Sequence, residues 1–519
     1  MGRPWAARAV ILPVVLVLIG LLALTLAGFV FFVRAESEGI AAFADGQQAR
    51  LAAESGLEEV AALLRDRRDD VTAWYDVPER FRHALVWAEG YERDADPLRA
   101  MGSRRELLES GAAITPAWRF SVPAIRFDGP QDTIRFGLTP ESAKLHLNAA
   151  SEEQIADLLT PLLLELRIDN PQEIIDAILD WRDADSDPRP GGAENEYYNT
   201  LDPGPPYNAK NGPFDSVEEL LLVKGVTAAI LYGEDVNRNG ILDRNEDDGA
   251  ESFPYYDNGD GILNPGIAPF LTVWSREVDT SLDNKQRISL YSDAATIQAQ
   301  MLAYAGQNEE ELNALSAATQ AFIAGIAGNQ QVLSQMHSPA DLYAGAGAVE
   351  ATEPNAPGGV SGELAASPVT LEEMPYIMDR FSTRPPDQMN QPLVGLININ
   401  AAPLRVLALI PGMTPEAAAA IVAQRQELDA ETLRTTAWPL VSGAVDAATF
   451  RAIAPYITTK AYQFHVEVVG YADHCKTFRR LEWVIEMLGP LAQVRYHRDL
   501  TRLGLAWPLD QESVIVAGR

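Results

Sequence analysis

AVILPVVLVLIGLLALTLAGFVFFV, from Ala9 to Val33, runs for 25 residues without a charged side chain. As a helix it rises about 37 Å, enough to cross a bilayer hydrocarbon core of about 30 Å, so the stretch predicts a transmembrane helix. A secretory signal peptide has an apolar core of about 7–15 residues and a small-x-small cleavage site, whereas this run ends in Val33-Arg34-Ala35. Pro13 falls in the first turns, where a missing N–H costs little. Arg3 and Arg8 precede the span, and by the positive-inside rule they keep the N-terminus cytoplasmic. The expectation is a single-pass membrane protein with its bulk outside the cytoplasm, which in a two-membrane bacterium means the inner membrane and the periplasm.

Working outward, Phe43 to Arg65 carries Leu57, Val60, Leu63 and Leu64 at helical spacing with Glu and Arg opposite, so the membrane helix continues as an amphipathic stem. Trp118–Val122 and Thr133–Phe136 alternate as strands, and so does Gln463–Val469, with Phe464, Val466 and Val468 on one face and His465 and Glu467 on the other. Between these flanks the pattern is helical. Leu145-His146-Leu147-Asn148-Ala149-Ala150 is echoed by Ile397-Asn398-Ile399-Asn400-Ala401-Ala402, and each copy is followed by a helical stretch ending in Arg182 or Arg425. A fainter third copy starts at Ile288-Ser289-Leu290. The Asn of each clear copy is expected to cap the helix that starts at the alanines.

The fold class is therefore α+β: a transmembrane and stem helix, then an α+β domain interrupted by a large, mainly α-helical insertion. The division along the chain is 1–34 leader and transmembrane helix, and 35–140 stem and first part of the α+β domain. It continues with 141–285 first helical subdomain, 286–395 helical extension with a Gly/Pro-rich loop, 396–460 second helical subdomain, and 461–519 C-terminal strands.

Composition narrows the function. The chain has 519 residues, 47% of them hydrophobic, with 73 Asp+Glu against 41 Lys+Arg and a net charge of −32. That charge repels polyphosphates, making nucleic acid an unlikely partner. The single cysteine, Cys475, excludes an intrachain disulfide. His474 adjoins it, but neighbours on a strand point to opposite faces, so no Cys/His dyad is expected. None of the six histidines falls in a catalytic pattern, and G-x-S-x-G, H-E-x-x-H and the P-loop are absent from the sequence, which predicts a protein that is not an enzyme.

Asp235-Val236-Asn237-Arg238-Asn239-Gly240-Ile241-Leu242-Asp243-Arg244-Asn245-Glu246 fits the calcium-loop pattern D-x-[DN]-x-[DN]-G-x5-E. Its oxygens would come from Asp235, Asn237, Asn239, the Ile241 carbonyl, Asp243 and bidentate Glu246, around a structural Ca2+. The competing reading is an acidic surface loop. A weaker candidate is Asp183, Asp185 and Asp187, with Glu194 and Glu196 nearby and Pro188 where the pattern needs Gly. Asp257–Asn264 reads as a shortened third loop without a terminal Glu. Leu409–Pro415 followed by Ala417–Ile421 has the shape of a helix-hairpin-helix, and Val223–Thr227 before Ala228 is a looser copy. With only Arg405 and Arg425 close to the first hairpin, both read as SAM-like packing modules and not as phosphate binders.

The N-terminal span and stem, the stretch from Ala177-Ile178-Leu179-Asp180-Trp181-Arg182-Asp183 through Pro190-Gly191-Gly192-Ala193-Glu194 to Tyr197-Tyr198, the segment Phe214–Leu220, and Ile397–Gly412 together resemble the minor pseudopilin K family of type II secretion systems. The resemblance implies a pilin-like α+β domain interrupted by a helical domain, and a place at the tip of a pseudopilus with other minor pseudopilins. There it would take part in export of secreted protein cargo across the outer membrane; a bound ion is implied too. Family precursors carry Gly before the prepilin peptidase cut, but here the aligned run is Arg8-Ala9-Val10-Ile11-Leu12-Pro13, which allows a cut between Ala9 and Val10 or one after Gly2. Counted from Val10 the fifth residue is Val14, where most pilins have Glu. The chain also carries added material around 233–275 and 300–370. The alternative from another class is a membrane-anchored helix-hairpin-helix protein that binds DNA outside the membrane.

Overall fold

The computed structural model describes residues 11–98, 115–127, 133–201, 204–306, 308, 311, 313–344, 367–475, 477–489, 491–505 and 507. The processing positions Ala9 and Val10, and nearly all of the Gly/Pro-rich loop, lie outside the described residues.

From Ile11 to Arg67 the chain is one helix of 57 residues, α1. Its first half is exposed all round and, by length and composition, apolar enough to cross a membrane, with a mean hydropathy of 2.9 over an 18-residue stretch. Its second half buries Ala49, Ala52, Ala53, Val60 and Leu64 on one stripe. Arg65 and Arg67 close the last turn, where cations offset the helix dipole.

After α1 the chain lays down β1 (Ala84–Ala88), β2 (Ala117–Ser121), β3 (Pro123–Arg126), β4 (Thr133–Phe136) and β5 (Thr139–Pro140). Among the described residues the middle contributes only two-residue strands: β6 (Leu145–His146), β7 (Leu271–Thr272), β8 (Arg276–Glu277), β9 (Ile288–Ser289), β10 (Phe381–Ser382), β11 (Leu393–Val394), β12 (Ile397–Asn398) and β13 (Ile457–Thr458). The chain ends with β14 (Gln463–Ala472), β15 (Phe478–Glu486) and β16 (Gln493–Asp499). The main sheet runs β1-β2-β14-β15-β16, with β5 also paired to β14, so strands from both flanks of the middle close one antiparallel sheet. Phe464, Val466 and Val468 of β14 are buried with Val60, Leu64, Trp74 and Phe120 beneath α1, while His465 and Glu467 are half-buried. The alternation read from the sequence is the one observed.

Two devices seat this sheet. Gly470 lies opposite Phe120 and directly under α1, where a Cβ would stand 2.1 Å from the Ala49 carbonyl oxygen. Arg119 on β2 is fully buried and donates to Asp96 at 2.6 and 2.7 Å and to Asp473 at 2.7 Å. Removing a charge from water costs several kcal/mol, and two carboxylates in hydrogen-bonding geometry offset it.

In the middle, the echo is threefold. β6 pairs in parallel with β7, β9 with β10 and β12 with β13, so three units each open and close on a short parallel pair. The same bond recurs: Leu147 N to Thr272 O at 2.7 Å, Leu290 N to Ser382 O at 3.0 Å, and Ile399 N to Thr458 O at 3.0 Å. Each closing hydroxyl bonds a buried carboxylate, Thr272 to Glu141, Ser382 to Asp279 and Thr458 to Glu277. The third copy continues into the helix Ala294–Ala305, capped by Asp293, which accepts from Thr296 N at 3.0 Å.

The echoed arginines share a task. Arg182 Nη1 donates to the carbonyls of Leu147 and Ala150, both at 2.8 Å; Arg425 Nη1 donates to those of Ile399 and Ala402, at 3.1 and 2.7 Å. The echoed asparagines are not the caps expected of them. The first helix starts at Glu152 and is capped by Ser151 in a reciprocal box with Gln154, because three turn residues carry the chain away from Asn148 before helical amides become free. Asn148 instead exchanges two bonds with the Phe214 backbone, and Asn400 bridges the Leu433 carbonyl and the Trp438 indole. Arg425→Ala and Arg182→Ala are each expected to cost about 2 kcal/mol, since charged donors to two carbonyls are lost. Urea denaturation monitored by tryptophan fluorescence measures this, and losses below about 0.5 kcal/mol in both would contradict the shared role.

Candidate metal centres

The loop from Asp235 to Glu246 turns on itself through left-handed residues at Arg238 (φ 57°) and Gly240 (φ 68°). Asp235, buried, accepts from Asn239 N and Gly240 N at 2.9 Å each. Asn237 Oδ1 accepts from Asn239 N (3.0 Å) and Asn239 Oδ1 from Ile241 N (2.7 Å). Asp243 Oδ2 accepts from both side-chain amides, at 2.6 and 3.0 Å. Glu246 reaches back to Val236 N and Asp243 N, both at 3.1 Å. The side chains at the pattern's ligand positions are thus tied to one another and to the loop's own amides, and their oxygens are of the hard kind that suits Ca2+.

Burial pushes Asp235 up to about 6 and Glu246 up to about 8, the latter helped by the negative charge of Asp235. Adjacent Glu234 is pushed by burial up to about 7. The charge of Glu234 is opposed by Asp257 and Asp260, whereas desolvated Asp235 and Glu246 oppose one another, a repulsion that a divalent cation relieves. Arg480, fully buried on β15, donates to the Asn237 carbonyl at 2.6 Å, to the Arg238 carbonyl, and to Glu467 at 2.7 and 3.0 Å, tying the loop to the main sheet.

The second centre forms where the helix Pro171–Arg182 ends. Asp180, fully buried, accepts from Arg189 N and Ala193 N (3.1 and 2.9 Å) and folds the Pro-Gly-Gly turn back over the helix. A Cβ on Gly192 would stand 1.8 Å from Asp180 Oδ2, so glycine is needed there. This turn delivers Glu194 to Asp183 and Asp185, each of the three bringing an oxygen within 4.8 Å of the others. Asp183 Oδ1, both Glu194 oxygens and Asn211 Oδ1 are buried without a hydrogen-bond partner among the described residues. Three carboxylates brought together, with orphaned oxygens on Asp183 and Glu194, fit a hard cation with six to eight oxygen ligands. Asp187 does not join them; its amide donates to Asp185 Oδ1 at 2.9 Å and its side chain is exposed. The alternating acids suggest Asp187, but the return of the chain through Gly191-Gly192 substitutes Glu194.

Calcium at a hundredfold excess over its dissociation constant would stabilise the fold by about 2.7 kcal/mol, and Glu194→Gln is expected to remove most of that gain. Thermal melts with and without Ca2+ check it, and an undiminished Ca2+-induced rise in Tm would assign the ion elsewhere.

In Asp257–Asn264, the acid oxygens close turns upon backbone amides: Asp257 accepts from Gly249 N and Gly259 N, and Asp260 from Ile262 N. At the first hairpin, the helix Leu404–Leu407, Gly412 (φ 82°) and the helix Pro415–Gln424 follow in order. Val217–Leu222, Gly225 (φ 81°) and Ala228–Tyr232 repeat the arrangement. The nearby cations are already engaged by the protein itself. Arg405 pairs with Glu165 at 3.2 Å, Arg425 is buried on carbonyls, and Lys224 donates to Gly191 O and Gly192 O at 3.0 and 3.1 Å. This arrangement leaves the DNA-binding alternative without its phosphate contacts. His474 and Cys475 lie in the turn between β14 and β15, not on a strand, so the expected opposition of their side chains does not hold.

The family model described as "Type II secretion system (T2SS), protein K" matches residues 140–232, a segment that contains Asp183, Asp185 and Glu194 and stops short of Asp235. Type II secretion system protein K of Klebsiella pneumoniae is 29% identical over 154 residues, covering 28% of this chain and 47% of that protein, so the alignment spans about half the length of that relative. Among solved structures, a chain in the GspK-GspI-GspJ complex of the enterotoxigenic Escherichia coli type 2 secretion system is similar over 90% of this chain and 99% of that one, at 12% identity and a TM-score of 0.33.

Proposed function

We propose that this chain is a K-type minor pseudopilin of a type II secretion system, a structural and interaction protein. The observation that carries the reading is the family match over residues 140–232, the segment that opens the middle of the chain. The sheet closed by both flanks around that middle supports it, since the stem helix α1 then carries a head bulkier than the sheet alone. On this reading α1 anchors the protein in the inner membrane and packs among neighbouring pilin helices, while the head lies in the periplasm. The middle, with its SAM-like helix-hairpin-helix units, blocks another subunit from stacking above it and places the protein at the tip. Val14 at the fifth mature position, for a cut between Ala9 and Val10, suits a tip subunit with no helix above it. Structural Ca2+ at Asp183, Asp185 and Glu194, and at the loop Asp235–Glu246, would hold the head in shape.

The partners are other minor pseudopilins and, through the pseudopilus, secreted cargo. Deleting the gene in its own organism should leave secreted proteins in the periplasm, with export restored by the full chain. Undiminished secretion in the deletion strain would contradict the role.

A further inference from the structure

We propose that Asp45, His474 and Cys475 form a binding site for a single transition-metal ion, best matched by Zn2+, that pins the membrane stem to the main sheet. The three side chains come from opposite ends of the chain, and their ligand atoms lie within 4.8 Å of one another. Asp45 stands on α1 about 18 Å beyond Val33 at 1.5 Å per residue, where the helix has left its apolar half and begins to pack on the sheet. His474 and Cys475 stand side by side in the β14–β15 turn. Nitrogen, sulfur and oxygen donors converging from three side chains are a zinc set: thiolate and imidazole are poor ligands for Ca2+, and the carboxylate is a poor one for Cu+. Three protein ligands leave a fourth tetrahedral position for water.

The surroundings hold these donors in place. Buried Asp473, next to His474, is fixed by Arg119 at 2.7 Å, which anchors the start of the turn. The His474 ring sits edge-on to Trp118 with centroids 5.4 Å apart. Cys475 packs on the small-residue stripe of α1, against the cluster of Ala49, Ala52, Trp118 and Ala472. Among the described residues no hydrogen bond or ion pair occupies the Asp45 carboxylate, the His474 ring nitrogens or the Cys475 thiol. The ligands are half-buried or exposed, so an ion reaches them from solvent without local unfolding. Ordinary Zn–S and Zn–N distances of about 2.3 and 2.0 Å need only small rotations from such an arrangement. Zinc here would couple the start of the packed half of α1 to the hairpin end of the sheet, a function independent of the pseudopilin reading.

The test uses the full-length protein in detergent, reduced, without a polyhistidine tag and saturated with Ca2+ so that hard-oxygen sites are filled. Titration with Co2+ should give one equivalent of a near-ultraviolet thiolate-to-cobalt band, displaced by Zn2+. Cys475→Ser should abolish the band while retaining the far-ultraviolet circular dichroism of the parent, and Asp45→Asn and His474→Ala should each weaken Co2+ affinity at least tenfold. Absence of the band, or its persistence at full strength in Cys475→Ser or His474→Ala, would overturn the proposal.

Discussion

An Arg480→Met variant is expected to lose about 3–5 kcal/mol of stability and to release the loop 235–246 from the sheet. The guanidinium is fully buried and bonds three partners at once: Glu467 on the neighbouring strand and the carbonyls of Asn237 and Arg238. Methionine fills much of the volume but leaves Glu467 without its ion pair and two carbonyls without a donor. The candidate calcium loop would then keep its internal bonds and lose its tie to the main sheet. Hydrogen exchange resolved by peptide should show faster exchange across 235–246 and along β14, with urea unfolding giving the global loss. A loss under about 1 kcal/mol, with unchanged exchange in the loop, would mean that Arg480 does not join the two.

Gly470→Val is expected to lift the stem from the sheet, at a cost of about 3 kcal/mol, the top of the usual overpacking range. The obstacle is backbone. A Cβ at 470 would sit 2.1 Å from the Ala49 carbonyl oxygen and 2.5 Å from the Ala53 nitrogen, atoms that cannot rotate aside without unwinding α1. Gly56 gives the comparison: its added Cβ would meet Phe120 and Val468 at 2.7 Å, side chains that can shift, so Gly56→Ala should cost less. Limited proteolysis should cut the stem between about 40 and 65 in the Gly470 variant and not in the parent. Equal resistance in both would show that the close approach is not what seats the helix.

The parts of the fold legible in the sequence are those with long periodicity. The 57-residue helix, the alternating face of β14 and the repeated Leu145–Ala150 and Ile397–Ala402 segments repeat often enough to be read without a partner. The two-residue strands of the middle are not, because two residues show no alternation and their partners Leu271–Thr272, Phe381–Ser382 and Ile457–Thr458 lie far along the chain. The candidate sites divide in the same way. Asp235–Glu246 is legible because its donors come from one short loop in fixed order. Glu194 reads in the sequence only as a neighbour, since it reaches Asp183 and Asp185 by a turn built on buried Asp180; the Gly191-Gly192 pair is the signal that the chain doubles back there. Asp45 joins His474 and Cys475 only through the docking of α1, which local sequence does not encode.

The most direct test of the pseudopilin reading is mass spectrometry of the N-terminal peptide from native protein extracted from membranes. Prepilin processing predicts a mature start at Val10, or at Arg3 for a cut after Gly2, with an N-methylated first residue. An unprocessed Met1 that retains the whole leader would contradict it and recast α1 as an ordinary anchor.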